Sequence, residues 1–124
     1  MLPVIEIRTA SDEWYDYHNR YAQGASEHVI PAPLNAATSE RLQEIALTAH
    51  RALGLRDLSR ADFIVTDSDD IVLLEVNTLP GMTPTSLFPD GARAIGISFP
   101  QLMDQLINSN CKRKDIQGNR VELP

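Results

Sequence analysis

Two apolar runs separated by a short acidic turn constrain this chain more than any other feature. Phe63-Ile64-Val65-Thr66 and Ile71-Val72-Leu73-Leu74-Glu75-Val76 flank Asp67-Ser68-Asp69-Asp70. Runs of this length, rich in β-branched and aromatic residues around a polar turn, predict a β-hairpin over Asp62–Asn77. A two-residue turn at Ser68-Asp69 would place Asp62 opposite Glu75 and Arg60 opposite Asn77. Side chains alternate along a strand. One face then carries Arg60, Asp62, Ile64, Leu73, Glu75 and Asn77. The other carries Ala61, Phe63, Val65, Val72, Leu74 and Val76 and is wholly apolar. A bulge or a three-residue turn would shift this pairing.

The first face gathers chemistry at one end. Two carboxylates facing each other across a ladder repel. Arg60 could offset that charge alone, as an ordinary salt bridge. A divalent cation could also offset it. Mg²⁺ takes one or two carboxylates together with phosphate oxygens. Asp62, Glu75 and Asn77 offer only oxygen donors, with no His or Cys to select zinc. The strand runs on into Thr78-Leu79-Pro80-Gly81-Met82-Thr83-Pro84-Thr85-Ser86-Leu87. Gly81 would permit close backbone approach or a positive φ. Its N–H could face a developing oxyanion, with Arg60 sharing the charge. Ser86 offers a hydroxyl and nearby backbone N–H groups just before a possible helix, a favourable place for a carboxylate. The plainer alternative is a proline-braced surface turn.

The remaining pattern is mixed α and β. Val4–Arg8 reads as a strand. Thr9–Asn35 has no sustained period and reads as a long aromatic-rich loop holding Trp14, Tyr15, Tyr17 and Tyr21. Loops of that length are often lids or binding loops, although its aromatics could equally pack on the core. Leu42, Ile45, Ala46, Ala49 and Leu53 predict a helix over Thr38–Leu53, capped by Thr38 or Ser39, with Glu40 in its first turn and Gly54 as its stop. His50 in this helix reads as a structural or surface histidine. Gly91–Ile95 is a possible short helix. Ser98–Ile107 is a further helix, with Ser98 and Gln101 at capping-box spacing. From Asn108 the apolar pattern fades, so the expected division is one domain over 1–107 and a poorly ordered tail over 108–124.

Composition limits the classes of function. The 124 residues, 43% hydrophobic and 23% charged, are ordinary for a soluble globular domain. The net charge of −6 and the lack of a basic stripe argue against nucleic acid and against an anionic membrane surface. Lys112-Arg113-Lys114 reads as part of a solvated tail. Cys111 is the only cysteine, so no internal disulfide can form, which fits a reducing compartment. With no signal-peptide pattern or long apolar run, the expected location is the cytoplasm.

The residues just described resemble the D-alanine–D-alanine ligase family of the ATP-grasp superfamily. The matching stretches are Ser59-Arg60-Ala61-Asp62-Phe63, Leu74-Glu75-Val76-Asn77-Thr78-Leu79-Pro80-Gly81-Met82-Thr83 and Ser86-Leu87. Trp14-Tyr15-Asp16-Tyr17-His18-Asn19-Arg20-Tyr21 is similar to the family's aromatic lid. The resemblance covers about Leu2 to Ile107 and concerns the C-terminal portion of such enzymes only. It implies an ATP-grasp C-terminal subdomain of α/β (α+β) class, an antiparallel sheet packed by helices.

The resemblance also implies an activity. Such enzymes use ATP to phosphorylate one D-alanine, and a second D-alanine attacks the acyl phosphate to give a dipeptide for peptidoglycan. By this similarity Asp62 and Glu75 would hold one Mg²⁺, or Mn²⁺ in its place, and Glu75 and Asn77 a second. Arg60 and the Gly81 N–H would steady the oxyanion. Ser86 and the Leu87 N–H would bind the second D-alanine's carboxylate, near Tyr21. Arg20 and Trp14 would contact ATP, and residues 15–21 would form part of a lid excluding water. Arg20 departs from the family, which usually carries Lys there, and the two cations are not equivalent at a phosphate. The family's N-terminal domain, glycine-rich phosphate loop and ATP-binding lysines have no counterpart in the sequence. The expectation is therefore a C-terminal half that is inactive alone, partnered by a missing N-terminal half or a homodimer mate. Alternatives are a D-lactate- or D-serine-using relative, or a non-catalytic ATP-grasp-derived module. Tyr21 favours D-alanine among these.

Overall fold

A computed structural model describes residues 1–9 and 26–111. Among the described residues the elements are, in chain order, β1 (Glu6–Thr9), β2 (Ser26–Val29), α1 (Ala36–Ala52), β3 (Arg60–Val65), β4 (Ile71–Asn77), α2 (Leu87–Ala94) and α3 (Phe99–Cys111). The strands form two antiparallel two-stranded sheets, β1 with β2 and β3 with β4. The expected mixed α and β class is present, with the strands divided between two sheets. β2 lies within the stretch expected to be loop, where it closes a second hairpin with Glu6 opposite Val29. Beyond it the Ala32 N–H donates to the Val4 carbonyl at 2.9 Å.

Helix α1 starts two residues before the predicted Thr38 and is capped by neither candidate. Asn35 is the cap, and its Oδ1 accepts the Thr38 N–H at 2.8 Å. The earlier start moves Glu40 out of the first turn. The C-terminus closes as the sequence predicts. Gly54 has φ 62°, its N–H donates to Arg51 O and the Leu55 N–H donates to His50 O, each at 3.0 Å. This paired closure uses glycine's freedom in the left-handed region. Helix α2 ends the same way on Gly96, at φ 82°. It begins earlier than Gly91 because Pro89, in its first turn, needs no N–H partner. Gly91 is buried, and a side chain there would meet Ile5 and Leu2 at 3.4 and 3.6 Å. At α3 the predicted capping box forms. Gln101 Oε1 accepts the Ser98 N–H at 2.9 Å and the Ser98 hydroxyl at 2.8 Å. The helix runs on to Cys111, four residues past Ile107.

The core is thin. Among the described residues its buried apolar members are Ala32, Leu42, Ala92 and Leu102. Leu73 of β4 shares a shallow concavity with Ile45, Thr48 and Ala49 of α1. At the other end of the hairpin turn, Asp69 accepts from Thr38 Oγ1 at 3.3 Å and Asn35 Nδ2 at 3.5 Å. Its carboxylate therefore sits at the positive end of α1. His50 is a structural histidine, with Nδ1 2.8 Å from Ser59 Oγ beside the start of β3. These contacts fix the hairpin against α1 and so set where its open end lies.

Candidate active site

The β3–β4 hairpin delivers the predicted pairing by a different route. Arg60 lies opposite Asn77, Ala61 opposite Val76 and Asp62 opposite Glu75. The turn has three residues, not two. Asp69 N–H donates to Thr66 O at 2.9 Å, Thr66 N–H donates to Asp70 O at 3.0 Å, and Asp69 adopts φ 63°. This is a type I turn followed by a left-handed residue, a common three-residue hairpin closure. It pairs Phe63 with Leu73, Ile64 with Val72 and Val65 with Ile71. The register then shifts between Asp62 and Phe63, where Leu74 is the unpaired residue of a bulge.

The bulge corrects the expected faces. Leu73 moves to the face of Ala61, Phe63, Val65, Ile71 and Val76, which stays wholly apolar. Val72 takes its place beside Ile64 on the face of Arg60, Asp62, Glu75 and Asn77. Ile64 and Val72 are 45% and 49% exposed, so the carboxylate face is open beyond its charged end.

At that end Arg60 grips Asp62 with both arms, Nε to Oδ1 at 2.7 Å and Nη2 to Oδ2 at 2.9 Å. Both side chains are about one-quarter exposed (24% and 25%). The salt bridge anticipated as the simple offset for the paired carboxylates is thus present. It neutralises Asp62 in part and leaves Glu75 facing that pair across the ladder. Asn77 Oδ1 accepts the Leu79 N–H at 2.9 Å, which turns the chain out of β4. Each carboxylate or amide oxygen has a further lone pair. The donor set of Asp62, Glu75 and Asn77 is all oxygen and gathered on one face, so it fits a hard divalent cation.

The loop after β4 folds back on itself. A Cβ at Gly81 would lie 2.8 Å from Ser86 Oγ, so glycine here lets the Ser86 hydroxyl keep its place against the backbone. Its φ is not positive, which settles between the two roles considered for it. Ser86 Oγ accepts the Thr83 N–H at 3.0 Å and lies 2.8 Å from Thr83 Oγ1. Ser86 is the N-cap residue of α2, and Leu87 opens the helix. Helix and loop are braced by residues that the sequence did not single out. Arg93 donates to Asp90 Oδ1 at 2.8 Å and to the Pro84 carbonyl at 3.0 Å. Asp90 Oδ2 lies 2.8 Å from His28 Nδ1 of β2. The only sequence signal for this chain of contacts was Asp90 in the first turn of a helix and Arg93 one turn later. Trp14, Arg20 and Tyr21 lie outside the described residues.

The fold is that of the C-terminal part of an ATP-grasp ligase domain, as solved relatives show. Residues 1–108 match the family described as D-ala D-ala ligase C-terminus, and the chain belongs to that family. A D-alanine–D-alanine ligase of Desulfovibrio desulfuricans is 47% identical over 118 residues, covering 93% of this chain and 39% of that protein. One from Halalkalibacterium halodurans is 46% identical over 113 residues, covering 90% and 37%. The Bacillus anthracis D-alanine–D-alanine ligase complexed with ATP superposes with a TM-score of 0.71 at 33% identity, over 87% of this chain and 33% of that one. A D-Ala:D-Ser ligase of Enterococcus faecalis gives 0.70 at 40% identity, over 86% and 31%. The chain thus spans a little over a third of the curated relatives named here.

Proposed function

We propose that this chain carries the metal-binding and second-substrate portion of an ATP-dependent D-alanine–D-alanine ligase acting through an acyl phosphate. The observation that carries the reading is the placement of Asp62 opposite Glu75, with Arg60 and Asn77 paired on the same face. Asp62, Glu75 and Asn77 would hold two Mg²⁺ ions, with Mn²⁺ as a substitute. When bound, such ions neutralise ATP phosphate charge during phosphoryl transfer.

The chain's own groups would do the rest. Arg60, oriented by Asp62, and the Gly81 N–H would stabilise the oxyanion formed when the second amino group attacks. Ser86 and the Leu87 N–H would hold the second substrate's carboxylate at the start of α2. Residues 15–21 would close over the acyl phosphate, with Trp14 and Arg20 toward ATP and Tyr21 toward the second substrate. These 124 residues alone are expected to bind without turning over, and full activity would require a complementary N-terminal half. The place of action would be the cytoplasm. Among the described residues no helix is long and apolar enough to cross a membrane.

Calorimetry of Mg²⁺–ATP binding tests this, with Glu75→Ala as the control. Binding that disappears in the variant supports the reading. No binding to the folded chain would favour the rival, a non-catalytic ATP-grasp-derived module. ATP-dependent phosphate release with D-alanine, abolished by Glu75→Ala, would overturn the expected inactivity. The 40% identity to a D-Ala:D-Ser ligase keeps D-serine as a second candidate substrate. Product analysis on a full-length relative carrying these loop residues separates the two.

A further inference from the structure

Ser86 departs from the usual behaviour of a serine in its place. An N-cap serine normally turns its Oγ forward to accept an N–H of the first helical turn. Ser86 makes no such bond. Its Oγ turns backward, accepts the Thr83 N–H at 3.0 Å and meets Thr83 Oγ1 at 2.8 Å. Thr83 Oγ1 in turn lies 3.4 Å from Thr85 Oγ1. The third helical residue is Pro89, which has no N–H. The hydroxyl's forward capping target would therefore be the Phe88 N–H.

We propose that Thr83 is a positioning residue that withholds the Ser86 hydroxyl from capping α2. The inference rests on the reading of Ser86 and Leu87 as the carboxylate site and adds the device that keeps the site open. A serine hydroxyl has one proton and two lone pairs. The Thr83 N–H takes one lone pair. If the Thr83 hydroxyl donates to the other, the Ser86 proton is left to donate outward. The Thr85–Thr83–Ser86 line of hydroxyls can polarise in that direction, each donor strengthening the next. The first-turn N–H groups of α2 stay uncapped by Ser86. A carboxylate would then meet a hydroxyl donor and backbone N–H donors together. The backbone closure is independent of this, because the Ser86 N–H donates to Thr83 O at 3.0 Å without either side chain.

The test uses the full chain, isotope-labelled, as wild type, Thr83→Val and Thr83→Ser. Valine keeps the shape and removes the hydroxyl, whereas serine keeps the hydroxyl. The first readout is the Ser86 side-chain rotamer from three-bond couplings, with the Phe88 amide shift as a report on capping. Thr83→Val removes one of the two bonds that hold the Ser86 hydroxyl and leaves the one from the Thr83 N–H, so the Ser86 couplings should move toward rotamer averaging and the Phe88 amide should shift. Thr83→Ser should match wild type, and the Ser86 amide should keep its hydrogen-exchange protection in all three. Unchanged Ser86 couplings and an unchanged Phe88 amide in Thr83→Val would overturn the proposal. Titration with D-alanine is the second readout, and Thr83→Val should weaken binding about 5-fold, the scale of one hydrogen bond. If wild type shows no D-alanine response, the carboxylate-site reading fails, and the rotamer result still judges Thr83.

Discussion

Replacing Glu75 by Gln should stabilise the metal-free chain and sharply reduce its response to Mg²⁺. Glu75 lies directly opposite Asp62. Opposed residues in an antiparallel pair have Cβ atoms about 5 Å apart. Two unit charges at that distance repel by about 0.8 kcal/mol in water. Arg60 already cancels part of the Asp62 charge through its two bonds of 2.7 and 2.9 Å. The net gain for Glu75→Gln is then about 0.5 kcal/mol, within the measured span for cross-strand charge pairs. That corresponds to a rise of about 2 °C in Tm for a domain of this size. Mg²⁺ reverses the order. Wild type should gain about 1.4 kcal/mol at a concentration ten times Kd, and the variant, with one carboxylate left, far less. Thermal unfolding followed at 222 nm in MgCl2 and in NaCl of equal ionic strength measures both effects. A variant less stable than wild type without metal would show that Glu75 is held favourably, not repelled. An equal Mg²⁺ gain in both proteins would place the ion elsewhere.

Three further outcomes are expected. Asn35→Ala removes the acceptor for the Thr38 N–H at 2.8 Å and should cost about 1 kcal/mol in urea unfolding; an unchanged midpoint would mean that Asn35 does not cap α1. Asp90→Asn weakens the carboxylate shared by His28 and Arg93, so the amides of residues 84–86 should shift along with those of β2. Shifts confined to α2 would show that the network does not link the strand to the loop. Gly81→Ala puts a carbon 2.8 Å from Ser86 Oγ. Because a hydroxyl can swing away, stability should fall by less than about 1 kcal/mol, while D-alanine affinity falls about 10-fold. Unaltered affinity would argue that the Gly81–Ser86 approach is irrelevant to the site.

Much of the site was legible because it is written in pairs and spacings. Asp62, Glu75, Arg60 and Asn77 could be placed together from strand alternation and the resemblance alone. The bulge was not legible. Val72-Leu73-Leu74 is a continuous apolar run, and no polar residue marks the point where alternation skips a beat. β2 escaped notice because Ser26-Glu27-His28-Val29 has a single apolar β-branched residue, and partners in β1 make it a strand. The true cap of α1 sits ahead of Ala36-Ala37, which carry no period of their own, so Thr38 and Ser39 looked equally suitable. Thr83, Asp90 and Arg93 gain their roles from three-dimensional proximity, which sequence spacing hints at only for the last two.

The Leu74 bulge has a consequence for the length of chain that this site tolerates. Twelve residues separate Asp62 from Glu75. An odd-numbered closing loop takes three of them, so nine remain to be shared by two strands, and nine cannot be divided evenly. One residue must stand out of the ladder, and its position decides which parts of β4 look each way. By the same parity, a relative with eleven intervening residues could keep both the loop and the carboxylate pairing without any irregularity. One with thirteen would leave ten, which also divide evenly once the turn moves by one residue. Single-residue insertions and deletions near Leu73-Leu74 should therefore be absorbed by the ladder itself, and the Asp62–Glu75 pairing is the quantity that survives them.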